Sequence, residues 1–518
     1  MYDVIGAGIG PFNLGLAALL EDIPGTDALF FDKKKEFAWH PGLLIKGTDL
    51  QVAFLADLVT LADPKSRYTF LNFLHEHDRL YRFYTFNEFD IPRREFNDYL
   101  SWAASEIKSC RFGSEVIGVK NAGGHYDVSV KNIEDGSISV YQTKHFVMGT
   151  GSEPLIPAEI AAEARQDTMV STEYLFRKDE LAGAESITVV GSGQSAAEIF
   201  SDLLHDEKYR RSRLQWVTRS AGFRELETAK LGQEMFTPDY VEYFNRLPFK
   251  ERLNTLPELD GLRHGIDSDT LAAIYDALYH RSISGGSPDV YIQPMAELEK
   301  IGKQNGRCVL SFHQWQMDET FTADSEKVIL ATGFKPHIPE WFTAIAPDIE
   351  WEDEKRFKVT ADSRLVFKDD RRHHFFTLTN LDHAHGTGAT NLKLSVYRNQ
   401  KIINTILGKE HFSINKKTAF QQFLPAQKKL TPYEEVSFFY DFCGFFSGVF
   451  HLNTLFNRRY IRFDSFVSKG PKMASIKTYK AAKGLSEADR PPAMPRFATI
   501  MENSPRDTMV SPILDDAL

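Results

Sequence analysis

Two short glycine runs carry the strongest chemical signal in this chain: Gly6-Ala7-Gly8-Ile9-Gly10-Pro11-Phe12-Asn13 and Gly191-Ser192-Gly193-Gln194-Ser195-Ala196. A glycine turn at the head of a helix lets backbone come close to a diphosphate. The helix N-terminus then offers that anion amide N–H groups and the positive end of its dipole. In the first run, Gly6 permits the tight turn and Gly8 the close approach. Pro11 stands where the usual fingerprint has a third glycine. The first helical position accepts proline because its missing N–H would have no intrahelical partner. Asp32, at the end of the next apolar stretch, is positioned to accept hydrogen bonds from an adenosine ribose. The second run has the same surroundings, but its next apolar stretch ends in Thr218-Arg219. An acid there would repel a 2′-phosphate, whereas an arginine can pair with one, so the second turn suits NADPH better than NADH.

Other chemistries find little support. Cys110, Cys308 and Cys443 lie far apart and form no C-x-x-C, which argues against a redox dithiol, a zinc site or a disulfide framework. Three buried thiols in a reducing cytoplasm are expected, and no metal site. A net charge of -10 argues against nucleic acid as the main partner. No charged segment precedes an apolar one at the N-terminus, so a signal peptide is not expected. The apolar stretch 436–450 contains Asp441 and falls short of the ~20 residues that span a bilayer.

The elements that must hold these turns are legible. Tyr2–Ile5 reads as a buried strand, about Pro11 to Glu21 as a helix striped by Phe12, Leu16, Leu19 and Leu20, and Ala28–Phe31 as the next strand. Ser186–Val190, a helix through Leu204, and Leu214–Val217 repeat the pattern. Phe146–Met148 reads as a strand entering Gly149-Thr150-Gly151, which marks a crossover between the two units. Lys327–Leu330 reads as a strand of the resumed first unit, entering Ala331-Thr332-Gly333-Phe334, whose small residues let backbone approach a flavin. Residues 33–105 read as aromatic-rich and irregular. With 42% hydrophobic and 25% charged residues over 518, the chain is long enough for two or three domains at about 100–200 residues each. The expectation is an α/β protein with two Rossmann-like dinucleotide-binding domains, one inserted into the other. The first domain covers 1–165 and resumes over 329–425; the second covers 166–328. An aromatic-rich extension (426–470) and a polar, proline-rich, disordered tail (471–518) follow.

With these pieces placed, the chain closely resembles the N-hydroxylating flavin monooxygenases of siderophore biosynthesis, the lysine, ornithine and diamine N-hydroxylases, over about residues 2–425. Gly6–Leu14, Pro11 included, resembles their FAD turn, and Phe37-Ala-Trp-His-Pro-Gly42 their next flavin-contacting segment. Leu50–Val59 with Ala62-Asp-Pro64 resembles the segment between flavin and substrate. Gly191–Ser195 resembles their NADPH turn, and Ala331–Phe334 their late signature. The resemblance implies FAD on Gly6, Gly8, Gly10, Pro11, Phe12, Asn13 and Asp32, with Trp39, His40, Thr332 and Gly333 against it. It implies NADPH on Gly191, Ser192, Gly193, Gln194, Ser195 and Arg219. NADPH would reduce the flavin, O2 would form a flavin hydroperoxide, and an uncharged amine would take the distal oxygen. Gln51, beside the isoalloxazine, and Gln194, near flavin and nicotinamide, are the catalytic candidates. The plain alternative for Gln51, Gln194, Trp39 and His40 is a core polar or core aromatic role. A homo-oligomer follows by family analogy alone.

A departure bears on substrate. The family's amino-acid hydroxylases carry Phe-Leu-Lys-Asp-Leu, with the lysine on the substrate carboxylate, where this chain has Phe54-Leu55-Ala56-Asp57-Leu58. Ala56 cannot pair with a carboxylate, and a lysine would repel the distal ammonium of a diamine. Putrescine or cadaverine is therefore the expected substrate, in service of a hydroxamate siderophore. L-Lysine or L-ornithine is the alternative if another cation, such as Lys393, replaces the missing one. Gln233 matches a substrate-side polar position. An NADPH oxidase-type flavoprotein or a dinucleotide sensor would keep the fold without N-hydroxylation. A flavin disulfide reductase is disfavoured by the absent C-x-x-C.

Overall fold

The computed structural model describes residues 1–156, 158–283, 289–415 and 417–425. The extension and tail expected over 426–518, and Cys443, lie outside the described residues. Two sheets with parallel cores carry the two glycine turns. In the first, the strand order is Cys110–Arg111, Ala28–Phe31, Tyr2–Ala7, Ile138–Met148, Tyr126–Asn132, Ser114–Asn121, and Phe375–Thr377 also pairs with Ile138–Met148. In the second, the order is Val290–Gln293, Arg213–Val217, Ser186–Val190, Lys327–Leu330, Thr168–Val170, and the pairs are parallel. The central strands are buried on both faces, as in Val4 and Ile5 or Val189 and Val190. That is why they appear in the sequence as unbroken apolar runs rather than alternating ones.

The helices Pro11–Glu21 and Gln194–His205 follow their strands as expected. Three expectations change. The strand Lys327–Leu330 does not resume the first sheet; it lies inside the second, paired with Ser186–Val190 and Thr168–Val170. Glu159–Ile160 likewise joins a sheet of the second unit, beside Ala296–Gln304. Burial on both faces marks Lys327–Leu330 as a central strand but not its sheet, so a boundary at 329 cuts this strand, and one at 165 leaves Glu159–Ile160 with the first unit. Ser152–Pro154 and Phe334–Pro336 pair antiparallel, a two-stranded link where the chain leaves the first sheet and returns. Finally, 33–105 contains the helices Phe70–Glu76, Leu80–Phe86 and Arg93–Glu106. In the last of these, Phe96, Tyr99, Leu100, Ala103 and Ala104 are buried at helical spacing, a period hidden by the surrounding aromatics.

Two cores hold the cofactor-facing segments. Leu14, Leu16, Leu19 and Leu20 of the first-turn helix pack with Phe96, Tyr99 and Leu100, and with Ile402, Ile403 and Ile406 of helix Leu392–Leu407. Leu43 and Ile45 leave the first unit to join the core of the second, beside Ala196, Ile199 and Phe200. Cys110 and Cys308 are free and buried.

Candidate functional site

Sterics define the first turn. A Cβ on Gly6 would lie 2.3 Å from the Phe30 ring, and one on Gly8 would lie 2.4 Å from the Gly149 carbonyl. Gly8 also has φ of 86°, in the region that favours glycine. Asn13 closes the turn from inside, donating from Nδ2 to the carbonyls of Ala7 (3.2 Å) and Gly8 (2.8 Å). Gly10 caps the helix with no side-chain hydrogen bond and Pro11 opens it, so no cap competes for the first amides. Asp32 accepts from Ile9 N (2.8 Å) and Lys34 N (2.9 Å), which fixes its carboxylate under the turn with lone pairs to spare for a ribose.

The second turn follows the same design. Gly191 has φ of 141°, and a Cβ there would lie 2.1 Å from the Ala331 carbonyl. Trp216 Nε1 donates to the Gly191 carbonyl at 2.8 Å, and Ser192 Oγ meets Ser220 Oγ at 2.7 Å. Gly193 caps the next helix, again without a side-chain bond, with Ser195 in its first turn. Arg219 stands 68% exposed, 3.8 Å from Glu297, a loose pair that leaves its guanidinium available to a phosphate. Both turns thus have close backbone approach and uncapped helix amides, which fits a diphosphate at each.

Between the turns, aromatic and polar groups meet. His40 adopts left-handed backbone (φ 48°) and its ring lies 4.8 Å from Trp39 and 6.3 Å from Phe334, joining Phe37–Gly42 to the late turn. His40 is exposed, and desolvation by the surrounding protein, then Arg93 and Lys34, hold its imidazole down at about 4. Trp39 packs edge-on against Phe96, and its amide donates to Asn97 Oδ1 (2.9 Å). Thr332 Oγ1 donates to the Leu155 carbonyl (2.5 Å), and Gly333 has φ of 89°. Gln51 is exposed, and among the described residues its side chain has no hydrogen-bond partner. Ala56 is buried at 6% exposure.

Gln194 is held from three directions. Its amide donates to Glu198 Oε1 (2.9 Å) and Thr270 Oγ1 (3.2 Å) and accepts from Asp267 N (2.8 Å). Both amide hydrogens are therefore engaged inside the protein. Gln233 likewise donates to the Glu227 carbonyl (2.7 Å). Phe236 of the same turn packs with Leu394, next to Lys393. Lys393 is half-buried, not solvent-facing, and burial lowers its ammonium pKa. Among the described residues it forms no ion pair.

Two residues of the site were not singled out in the sequence. Asp57, buried at 3% exposure, accepts from Val59 N, Thr60 N, Thr60 Oγ1 and Phe70 N at 2.6–3.0 Å and so fixes the loop that carries Ala56. The Asp-x-Val-Thr spacing was a local signal for that turn. Arg93 bonds Glu198, Leu43 and Asp49; a partner 105 positions away leaves no trace in sequence.

Parallel sheets bearing two such turns define a two-dinucleotide oxidoreductase. Residues 1–336 match the model of the L-lysine 6-monooxygenase/L-ornithine 5-monooxygenase family, and the chain belongs to that family. It is 37% identical to the rhizobactin siderophore biosynthesis protein of Rhizobium meliloti, over 82% of this chain and 96% of that protein. It is 38% identical to the putrescine N-hydroxylase of Shewanella oneidensis, over 84% of this chain and 87% of that protein. Among solved structures, the FAD-bound cadaverine monooxygenase of desferrioxamine biosynthesis from Erwinia amylovora matches with a TM-score of 0.78 and 35% identity, covering 83% of this chain and 99% of that one.

Proposed function

We propose that this protein is an FAD- and NADPH-dependent N-monooxygenase that hydroxylates one primary amine of a diamine, putrescine or cadaverine, for hydroxamate siderophore biosynthesis. The carrying observation is Ala56: a buried methyl stands where the family's amino-acid hydroxylases present a lysine to the substrate carboxylate. The two putrescine N-hydroxylases, 38% and 36% identical, and the cadaverine monooxygenase support the same substrate class.

FAD occupies the first turn and NADPH the second in this reading, with the domain division following the sheets: a first unit of about 1–155 and 331–425, and an inserted unit between. Bound flavin and nicotinamide supply the hydride and oxygen chemistry. The chain's own contribution is position and polarity. Gly6, Gly8 and Asn13 shape the flavin turn, and Asp32 takes the ribose. Trp39, His40, Thr332 and Gly333 wall the isoalloxazine, with Gln51 projecting beside it. Ser192, Ser195 and the amides after Gly193 hold the second diphosphate, and Arg219 holds the 2′-phosphate. A free alkylamine has a pKa near ~10.4, so the reacting end must be taken in its neutral form, which partial burial favours. Gln233 lines the substrate side in this reading; Lys393, whose ammonium pKa burial lowers, is the cation that would serve a carboxylate if lysine or ornithine were the substrate. The helix Leu80–Phe86 buries none of its residues and leaves Tyr81 88% and Tyr84 82% exposed, with Phe86 and Phe89 also exposed. These rings offer on the order of 500 Å² of apolar surface. That is most of the roughly 800 Å² per partner of a stable interface, and a second copy of the chain is its proposed occupant.

The test is an amine panel with FAD-loaded protein, NADPH and O2, assayed for hydroxylamine. Putrescine or cadaverine should give product with kcat/KM at least tenfold above lysine and ornithine. Product from the amino acids alone would overturn the Ala56 argument. Flavin reduction without any hydroxylamine would leave only an oxidase.

A further inference from the structure

Arg93 opens a helix rooted in the core of the first unit, yet its guanidinium is spent on the second. Nη1 donates to Glu198 Oε2 at 2.8 Å and Nη2 to Glu198 Oε1 at 2.6 Å, a bidentate pair with side chains only 12% and 3% exposed. The same nitrogens donate to the carbonyls of Leu43 (3.2 Å) and Asp49 (3.3 Å), both within the segment running from the His40 turn to Gln51. Glu198 sits one turn into the helix that opens at the second glycine turn. Its Oε1 also accepts from Gln194, whose amide holds Asp267 N and Thr270 Oγ1 at the start of helix Ser268–Ser282. Nearby contacts are close-fitted: a Cβ on Gly42 would lie 1.8 Å from the Thr172 carbonyl.

A buried pair of this kind contributes little net stability, because the desolvation of both charges offsets their attraction. What it does contribute is geometry. The planar, two-point fit between guanidinium and carboxylate fixes distance and angle together. We propose that Arg93 and Glu198 are positioning residues for the reaction. They set the second dinucleotide's helix against the Leu43–Gln51 segment, so that the nicotinamide meets the flavin in a productive orientation. The proposal rests on the assignment of FAD to the first turn and NADPH to the second.

The experiment compares wild type with Glu198→Gln, Arg93→Gln and the double variant, all FAD-loaded. It follows anaerobic flavin reduction by NADPH in a stopped-flow instrument, with FAD content and dithionite reduction measured in parallel. Each single variant should reduce its flavin about 10–100-fold more slowly at saturating NADPH. The NADPH concentration for half-saturation should move less than threefold, with FAD content and dithionite reduction unchanged. The double variant, which removes both charges, should be no slower than the slower single one. Single variants within twofold of wild type would overturn the proposal. So would rate losses that multiply in the double variant, or loss of FAD from all three, which would indicate a supporting role in the fold. A wild-type flavin that dithionite reduces but NADPH does not would instead remove the two-cofactor assignment on which the proposal stands.

Discussion

In the proposed reading, cofactor choice rests on one side chain, Arg219. It follows the strand Arg213–Val217 by two residues, is 68% exposed, and among the described residues its guanidinium is paired with Glu297 alone, at 3.8 Å. Exposed pairs of that length are worth about 0–1 kcal/mol, so the guanidinium exchanges Glu297 for a phosphate at little cost. Arg219→Ala should therefore raise the NADPH KM at least tenfold while changing the NADH KM less than threefold. Equal losses for both cofactors in steady-state kinetics would take Arg219 out of the 2′-phosphate site. Asp57 shows the opposite situation, a carboxylate used wholly for structure. Burial pushes its carboxyl up, and the four hydrogen bonds from Thr60, Phe70 and Val59 pull it back. Asp57→Ala strands buried backbone donors and should cost about 3 kcal/mol, read as a lower urea midpoint. Asp57→Asn, which keeps an acceptor, should recover part of that loss.

At the scale of elements, the strand Ile138–Met148 carries a second consequence. His145 Nδ1 accepts from the His374 amide (3.0 Å), and its Nε2 is buried without a partner. Burial, then His374, pushes this imidazole down to about 3; His385, fully buried near Arg398, is likewise near 3. A protonated His145 would set an N–H against the His374 N–H. Because the folded values lie below the unfolded ~6.5, the unfolded chain binds these protons more readily. Stability is full above about pH 6.5 and is lost as pH falls toward about 3, by about 2 kcal/mol per ring at pH 5. Urea midpoints between pH 7 and 5 should fall accordingly. His145→Asn, which keeps an acceptor for His374 N but does not titrate, should flatten the slope; an unchanged slope would exclude His145 as a contributor.

For the whole molecule, the helix Leu80–Phe86 poses the question of assembly. Phe83 anchors it against Phe54 and Phe70, while Tyr81 and Tyr84 point outward. Replacing both tyrosines by serine should shift the molecular mass in light scattering from oligomer toward monomer, with FAD content unchanged. A monomeric wild-type protein would remove the second copy as the occupant of that surface.

Local chemistry is what the sequence determined by itself. Gly6, Gly8, Pro11, Asp32 and the run Gly191–Ala196 specify turns by local residue type, with positive φ at Gly8 and Gly191, whereas the backbone those glycines approach, at Gly149 and Ala331, is brought there by the sheets. The resemblance through Phe54–Leu58 likewise pointed to an amine without a carboxylate. The strand Lys327–Leu330, by contrast, is buried on both faces in a way either sheet would satisfy. Only its pairing with Ser186–Val190 decided which. The partners of the Gln194 amide, Thr270 and Asp267, likewise lie 76 and 73 positions away and leave no trace in the sequence. Arg93 was one more charged residue at a helix start until the fold brought Glu198 to it. Turn geometry is written in adjacent residues. A buried ion pair or a shared sheet edge joins residues whose separation along the chain carries no periodicity, so the tertiary structure alone decides it.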